Sequence, residues 1–159
     1  MDKRYLATVV IAAMIAVTIG SQSTAAPARY VPGLGEFMTA TQMRHSKLWF
    51  AGQAGNWALA AYELDEIREG FEDITRFHPT HHGSPVPIRE ILPKLMAAPL
   101  ARLQVAISSQ NLEKFDKAFD SLTASCNACH QAENFGFNVI TRPSSNPYTN
   151  QDFSPLQGR

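Results

Sequence analysis

The chain has 159 residues and balances 14 Lys and Arg against 14 Asp and Glu, so its formal net charge is zero. This balance leaves no basic excess, and we therefore expect no nucleic-acid partner. The length that remains after an N-terminal leader is enough for one domain that buries about two-thirds of its unfolded surface.

The first 28 residues have the three-part pattern of a secretory signal peptide. An early Lys-Arg pair precedes an apolar run from Tyr5 to Ile19, and small residues then lead to Ala28. Cleavage after Ala28 satisfies the small-x-small rule, and cleavage after Ala25 or Ala26 fits as well. The alternative is an uncleaved anchor, because the apolar run is only slightly shorter than a membrane span. We expect an exported, periplasmic protein that contacts a membrane, if at all, only through an uncleaved signal.

Apolar residues recur at spacings of three and four in the next two segments, as is typical of amphipathic helices. The first predicted helix, Leu34 to Phe50, has Met38 and His45 on its apolar stripe. The second, Trp57 to Phe77, follows Asn56 as its N-cap and has an acidic opposite face. That acidic face is either an ordinary solvated surface or a docking surface for a basic partner protein.

A loop rich in Pro and Gly follows the second helix and contains His78, His81 and His82. Three histidines so close together invite interpretation as a metal site. A loop without cysteine or a fixed carboxylate rarely supplies a structural metal site, however. We therefore expect these three side chains to be exposed to solvent.

The third predicted helix begins at Pro87 and continues to Ile107. Pro93 and Pro99 fall inside its apolar pattern, and an interior proline removes a backbone donor and clashes with the preceding turn. We therefore expect this helix to be kinked or split near residues 97–99.

The fourth predicted helix runs from its N-cap, Asn111, to just beyond His130. Four helices with short connections predict an all-α fold, an antiparallel up-down-up-down four-helix bundle. This four-helix domain covers residues 29–134, and residues 135–159, rich in Pro, Ser and Asn, form an extended C-terminal tail. We expect the tail to be only partly ordered, with its first part packed on the domain.

Both cysteines of the chain lie in the sequence Cys126-Asn127-Ala128-Cys129-His130. In this pattern the two thiols can add to the vinyl groups of a haem, and the adjacent imidazole can bind the iron. The two intervening residues place the sulfurs about one helical turn apart. A redox dithiol, a disulfide and part of a zinc site are the alternatives. An exported compartment and the lack of a βαβ pattern favour one covalently attached haem c.

A sixth iron ligand would come from the start of the first helix, since antiparallel packing brings it level with the end of the fourth. Met38 meets this requirement and is the predicted distal ligand. His45 is the competitor but lies about 10 Å further along the helix axis, and Met43 points to another face. An open or solvent-occupied distal side is the remaining alternative. Arg44 and Lys47 either pair with the haem propionates or are simply solvated.

The signal peptide, the four predicted helices and the late Cys-x-x-Cys-His pattern resemble those of the class II c-type cytochromes, the cytochrome c-prime and cytochrome c-556 group. The resemblance covers about residues 33–132. It implies that Cys126 and Cys129 hold the haem and that His130 is the proximal iron ligand. It also implies that Met38 is the distal ligand, as in low-spin members. The divided third helix, the His-rich loop and the long tail depart from the family's pattern.

The resemblance implies a monohaem cytochrome that transfers single electrons between redox partner proteins in the periplasm. The alternative is a five-coordinate haem protein that binds NO or CO, in which Met38 only lines an apolar distal pocket. We do not expect an enzyme, because the sequence places no nucleophile and base together. Such bundles can also form homodimers, although the sequence does not indicate which helix face would pair.

Overall fold

Four α-helices make up the regular structure of residues 30–155, the part of the chain that this computed structural model describes, and no β-strand occurs there. They are α1 (Leu34–Gln53), α2 (Trp57–Phe77), α3 (Ile88–Ser108) and α4 (Leu112–Ala132). The predicted all-α fold is therefore confirmed for these residues, with α1 continuing past its predicted end. The predicted signal peptide lies outside the described residues, as do residues 156–159.

Side-chain caps explain where three of the helices begin. The Glu36 carboxylate accepts the backbone N–H of Gly33 at 2.6 Å, at the start of α1. Asn56 accepts a first-turn N–H of α2 at 3.1 Å, and Asn111 accepts a first-turn N–H of α4 at 2.8 Å. Each bond satisfies a donor that has no partner within the helix. The two asparagine caps are as the sequence predicts.

The third helix is continuous from Ile88 to Ser108, so of the predicted kink or split near residues 97–99 the split does not occur. An interior proline costs a helix about 3 kcal/mol. Burial of a Leu or Met side chain contributes about 1.5–3 kcal/mol, however, and one face of α3 is buried along its length. Core packing therefore holds the helix through both prolines. The buried residues of this face include Leu92, Met96, Pro99 and Leu103.

By length and composition alone, α3 is long and apolar enough to cross a membrane. The core helix of a bundle passes the same test. Since the buried face of α3 packs against the other helices, we interpret it as a core helix.

Contacts at three levels indicate that α1 and α4 run antiparallel. Near the end of α1, the Gln53 side chain donates to Asp116 near the start of α4, at 2.7 Å. Midway along both helices, His45 lies 2.8 Å from Thr123. The start of α1 borders the same cavity as the end of α4. The predicted antiparallel relation therefore brings the first turns of α1 to the Cys-x-x-Cys-His sequence.

Aromatic rings fill the end of the bundle where α1 finishes and α4 begins, which we call the closed end. The ring centroids of Trp49 and Phe119 are 4.8 Å apart, and those of Phe115 and Phe119 are 6.0 Å apart. Gly52 faces Phe115 so closely that an added Cβ would overlap its ring. We call the opposite end, with Met38 and residues 126–133, the open end.

The later residues of the C-terminal tail pack on the bundle, as its first residues do. Arg142 pairs with Asp120 on α4, and its guanidinium lies 4.7 Å from the centroid of the Trp49 ring on α1. Phe153 is buried against Phe50 on α1. The tail therefore runs from the open end toward the closed end in contact with both helices, so its packed part is longer than the sequence predicts.

Candidate cofactor site

The two cysteines lie in the last two turns of α4, at the open end. Cys129 is buried, Cys126 is half-buried, and both are free thiols. Their spacing of three residues places them on one side of the helix. That side borders a cavity of about 190 Å³, which His130 and Met38 also line. We call this the first cavity.

A second cavity, of about 290 Å³, shares Met38, Cys129 and His130 with the first. Because these side chains line both cavities, the two are neighbours, and we call them together the cleft at the open end. Their combined volume falls in the range of about 300–1,000 Å³ that is typical of ligand sites. The walls of the cleft are mostly apolar and include Phe71, Ile88, Leu92 and Met96.

The imidazole of His130 is oriented by a hydrogen bond from the tail. Its Nδ1 atom lies 2.7 Å from the backbone carbonyl oxygen of Asn138. A carbonyl oxygen only accepts, so Nδ1 carries a proton, and in the neutral ring Nε2 then has a free lone pair. Histidines that bind metals almost always donate their other ring N–H to a carbonyl, carboxylate or water in this way. His130 is therefore in the tautomer that a metal ligand requires.

The environment of the two thiols is unlike that of a catalytic dithiol. Burial raises the pKa of Cys126 to about 12, with a further contribution from Cys129. Burial and then the nearby Glu133 carboxylate raise the pKa of Cys129 to about 11. Redox-active cysteines instead have a lowered pKa, since the thiolate is the nucleophile. The arrangement argues against the redox-dithiol alternative.

A zinc site is not assembled either. Within residues 30–155, no group of three or more His, Cys, Asp or Glu side chains is placed to hold a metal ion. A structural zinc site takes four such ligands. The iron of a haem takes only one or two ligands from the protein, so this observation does not bear on a haem site.

Met38 lies on the first turns of α1 and lines both cavities. Its side chain is half-buried and packs against the hydrophobic core. The structure therefore brings Met38 and His130 to the walls of one cleft, as the antiparallel arrangement of α1 and α4 predicts.

His45 also borders the first cavity, but its ring is engaged elsewhere. Only 3% of the residue is exposed, and its Nε2 atom lies 2.8 Å from the Thr123 hydroxyl. That hydroxyl donates to the Phe119 carbonyl at 3.0 Å, so it accepts the Nε2–H of His45. Burial lowers the pKa of His45 to about 4, which keeps the ring neutral. In this arrangement Nε2 of His45 is not free to bind a metal.

Arg44 and Lys47, the residues considered for the haem propionates, contact other groups. Arg44 pairs with Glu63 at 3.1 Å and with Glu66 at 2.7 Å, both on α2. The sequence predicts Glu63 on the acidic outer face of α2, but it is only 1% exposed and belongs to this ion pair. Lys47 places its ammonium 5.2 Å from the centroid of the Tyr148 ring in the tail.

The three loop histidines have separate environments. The Nε2 atom of His78 lies 2.8 Å from the Pro32 carbonyl oxygen. His81 borders the second cavity and packs against Phe135. The predicted solvent exposure is correct for His82, whereas His78 and His81 are half-buried.

Two groups at the open end are not among the residues predicted from the sequence. Glu133 is 5% exposed and borders the second cavity, and neither of its carboxylate oxygens has a hydrogen-bond partner among the described residues. It follows Cys129 by four residues, so the helical period could have placed it on the cysteine face. The Asn138 carbonyl has no comparable signal, because it is a backbone group in an irregular segment.

A scan of the chain against protein-family models found no match, and neither did searches of the curated proteins and of the solved structures.

Proposed function

We propose that this chain is a periplasmic c-type cytochrome of the class II type, with one haem c attached through Cys126 and Cys129. Its function is to transfer single electrons between redox partner proteins. The observation that carries the proposal is the hydrogen bond from His130 Nδ1 to the Asn138 carbonyl. It leaves the Nε2 lone pair available on a residue that borders the same cleft as both thiols.

The residues at the open end suit a haem in three respects. Two free thiols stand at the spacing of the haem-attachment pattern and border one cleft. An imidazole in the ligating tautomer follows them directly. The cleft walls are apolar, and burial of a haem in such surroundings sets its reduction potential. A haem, when bound, supplies the exchange of one electron at its iron.

Each residue of the site then has one role. The thiols of Cys126 and Cys129 hold the group covalently, and Nε2 of His130 is the proximal ligand. The thioether of Met38, on α1, is the distal ligand. His45 is the weaker candidate for that role, because its Nε2–H is donated to Thr123. The apolar side chains of the cleft exclude water from this region.

The experiment that tests the proposal is expression of the full chain in a host competent for c-type cytochrome maturation. We expect a coloured periplasmic protein whose haem stays attached on denaturation, with an N-terminus created by cleavage near Ala28. Replacement of Cys126 and Cys129 by Ser is expected to abolish attachment. A colourless wild-type protein would overturn the proposal.

Optical spectra identify the distal ligand and separate electron transfer from gas binding. We expect a low-spin spectrum, oxidised and reduced, that CO does not change. Met38→Ala should convert it to a high-spin spectrum that shifts with CO, whereas the matched controls Met43→Ala and His45→Ala should not. A wild-type spectrum that is high-spin and shifts with CO would exclude Met38 as a ligand and favour binding of NO or CO.

A further inference from the structure

We infer that Asn127, between the two cysteines, is a positioning residue for His130 and acts through the tail segment 138–140. The inference rests on the proposed function only for its effect on the haem, because the contacts themselves lie within the chain. Three hydrogen bonds join α4 to this short segment. We call this set of bonds the tail clamp.

The carboxamide of Asn127 forms two of the three bonds, both to one residue. Its Nδ2 atom donates to the Ile140 carbonyl at 2.8 Å, and its Oδ1 atom accepts the Ile140 N–H at 2.7 Å. A carboxamide presents a donor and an acceptor in one plane, as a backbone peptide group does, so it can pair with both polar groups of a single residue. The two bonds together fix the position of Ile140 relative to α4.

The third bond of the clamp is the one to the proposed iron ligand. The Asn138 carbonyl, two residues before Ile140, accepts from Nδ1 of His130 at 2.7 Å. A turn delivers the chain to this point, since the Phe135 N–H donates to the His130 carbonyl at 2.7 Å. The segment is therefore held before and after Asn138, and the carbonyl that orients the imidazole is held between these two attachments.

Loss of the clamp should act on His130 without removing any ligand. If Ile140 is released, the Asn138 carbonyl is less firmly held, and water competes for Nδ1. The imidazole then samples other orientations, and its Nδ1–H is less protected from exchange with water. A carbonyl acceptor at Nδ1 raises the basicity of the ligating nitrogen. Weakening it should lower electron donation to a bound iron and shift the midpoint potential to more positive values.

The chain offers a matched control in a second attachment of the same tail. Arg142, two residues after Ile140, pairs with Asp120 on α4 and lies over Trp49. Arg142→Ala loosens the tail there and leaves the clamp intact. A general effect of tail loosening would appear in both variants, whereas a positioning role predicts an effect of Asn127→Ala alone.

The experiment compares wild type, Asn127→Ala, Asn127→Asp and Arg142→Ala as purified full-length proteins. The first readout is hydrogen exchange at the Ile140 amide, and the second is exchange of the His130 Nδ1–H with water, both measured by NMR. We expect Asn127→Ala to lose at least tenfold in the protection of both protons. Asn127→Asp keeps an acceptor for the Ile140 N–H and should be intermediate. Arg142→Ala should remain within about twofold of wild type.

The third readout is the midpoint potential of the haem, which should become more positive in Asn127→Ala and stay unchanged in Arg142→Ala. Lost Ile140 protection with unaltered exchange of the His130 Nδ1–H and an unaltered potential would overturn the inference, as would equal effects in the two alanine variants. A wild-type protein without haem would refute the proposed function, and the two exchange readouts would still decide whether the clamp orients His130.

Discussion

The two ends of the bundle use the same pair of helices in opposite ways. At the closed end, α1 and α4 contribute large rings, and Gly52 leaves room for Phe115 to pack directly on the α1 backbone. At the open end the same helices contribute Met38, Cys126 and Cys129, and a cleft remains between them. Dense packing at one end therefore coexists with unfilled volume at the other.

We interpret this difference as a division of roles, in which the closed end contributes mainly to stability and the open end mainly to binding. Close packing of large apolar side chains supplies much of the stability of a small domain. A binding cleft needs the reverse, a volume that the chain's own side chains do not fill. We therefore expect substitutions at the closed end to act mainly on folding and those at the open end mainly on the bound group. The four predictions below test this contrast, in order of decreasing effect.

Phe115→Ala should have the largest effect on stability. The ring is completely buried among other aromatic rings of the closed end, so its removal leaves a cavity. We expect the free energy of unfolding to fall by about 3–5 kcal/mol, measured by urea denaturation. Met38→Ala at the open end should cost clearly less, because Met38 is half-buried beside an existing cleft. Equal losses would contradict the contrast between the two ends.

His45 lies at the boundary between the two ends and should make stability depend on pH. Its pKa is about 4 in the folded chain, against an ordinary value of 6.5. Between pH 6.5 and pH 4, His45 therefore binds a proton in the unfolded chain but not in the folded chain. The free energy of unfolding is highest above pH 6.5 and decreases as the pH falls toward 4. The loss should reach about 3 kcal/mol.

Urea unfolding of wild type and His45→Gln at pH 7.5 and pH 4.5 measures this dependence. The pH-dependent loss should be smaller in His45→Gln. His82→Gln, at an exposed loop histidine, should retain the full loss. An unchanged pH dependence in His45→Gln would show that other groups cause it.

Gly52→Ala tests the close approach of the helices at the closed end. The added Cβ overlaps the Phe115 ring, so the ring or the helix must shift. We expect a loss of about 1–3 kcal/mol in the free energy of unfolding. Gly35→Ala is the matched control at the open end, since a Cβ there meets nothing within 4 Å. It should change stability by less than about 0.5 kcal/mol.

Glu133→Met should have the smallest effect on stability, and unlike the other substitutions it should raise the free energy of unfolding. Its buried carboxylate has no hydrogen-bond partner among the described residues, which costs folding free energy. An apolar side chain of similar length removes that cost, so we expect the free energy of unfolding to rise by about 0.5–2 kcal/mol. Glu69→Met, at an exposed position of α2, serves as the control. Destabilisation by Glu133→Met would show that the carboxylate has a partner in solution.

The sequence was a reliable guide wherever local chemistry decides the structure. Asn56 and Asn111 cap α2 and α4 as predicted, because an N-cap depends only on residues within one turn. The approach of Met38 to His130 was also predictable, since short connections make neighbouring helices antiparallel. Of the kink or split predicted for α3, the split does not occur, because the local cost of Pro93 and Pro99 is offset by burial against other helices.

What the sequence determined by itself is the set of helices and the spacing of Cys126, Cys129 and His130 on one of them. Helix periodicity and the two-residue gap between the cysteines are local properties, and they do not depend on the rest of the fold. Only the tertiary structure decided which partners the side chains meet. The contact of Asn138 with His130 and the burial of Glu133 depend on where the irregular tail returns to α4. That return is determined by packing between residues far apart in the chain, which no local pattern encodes.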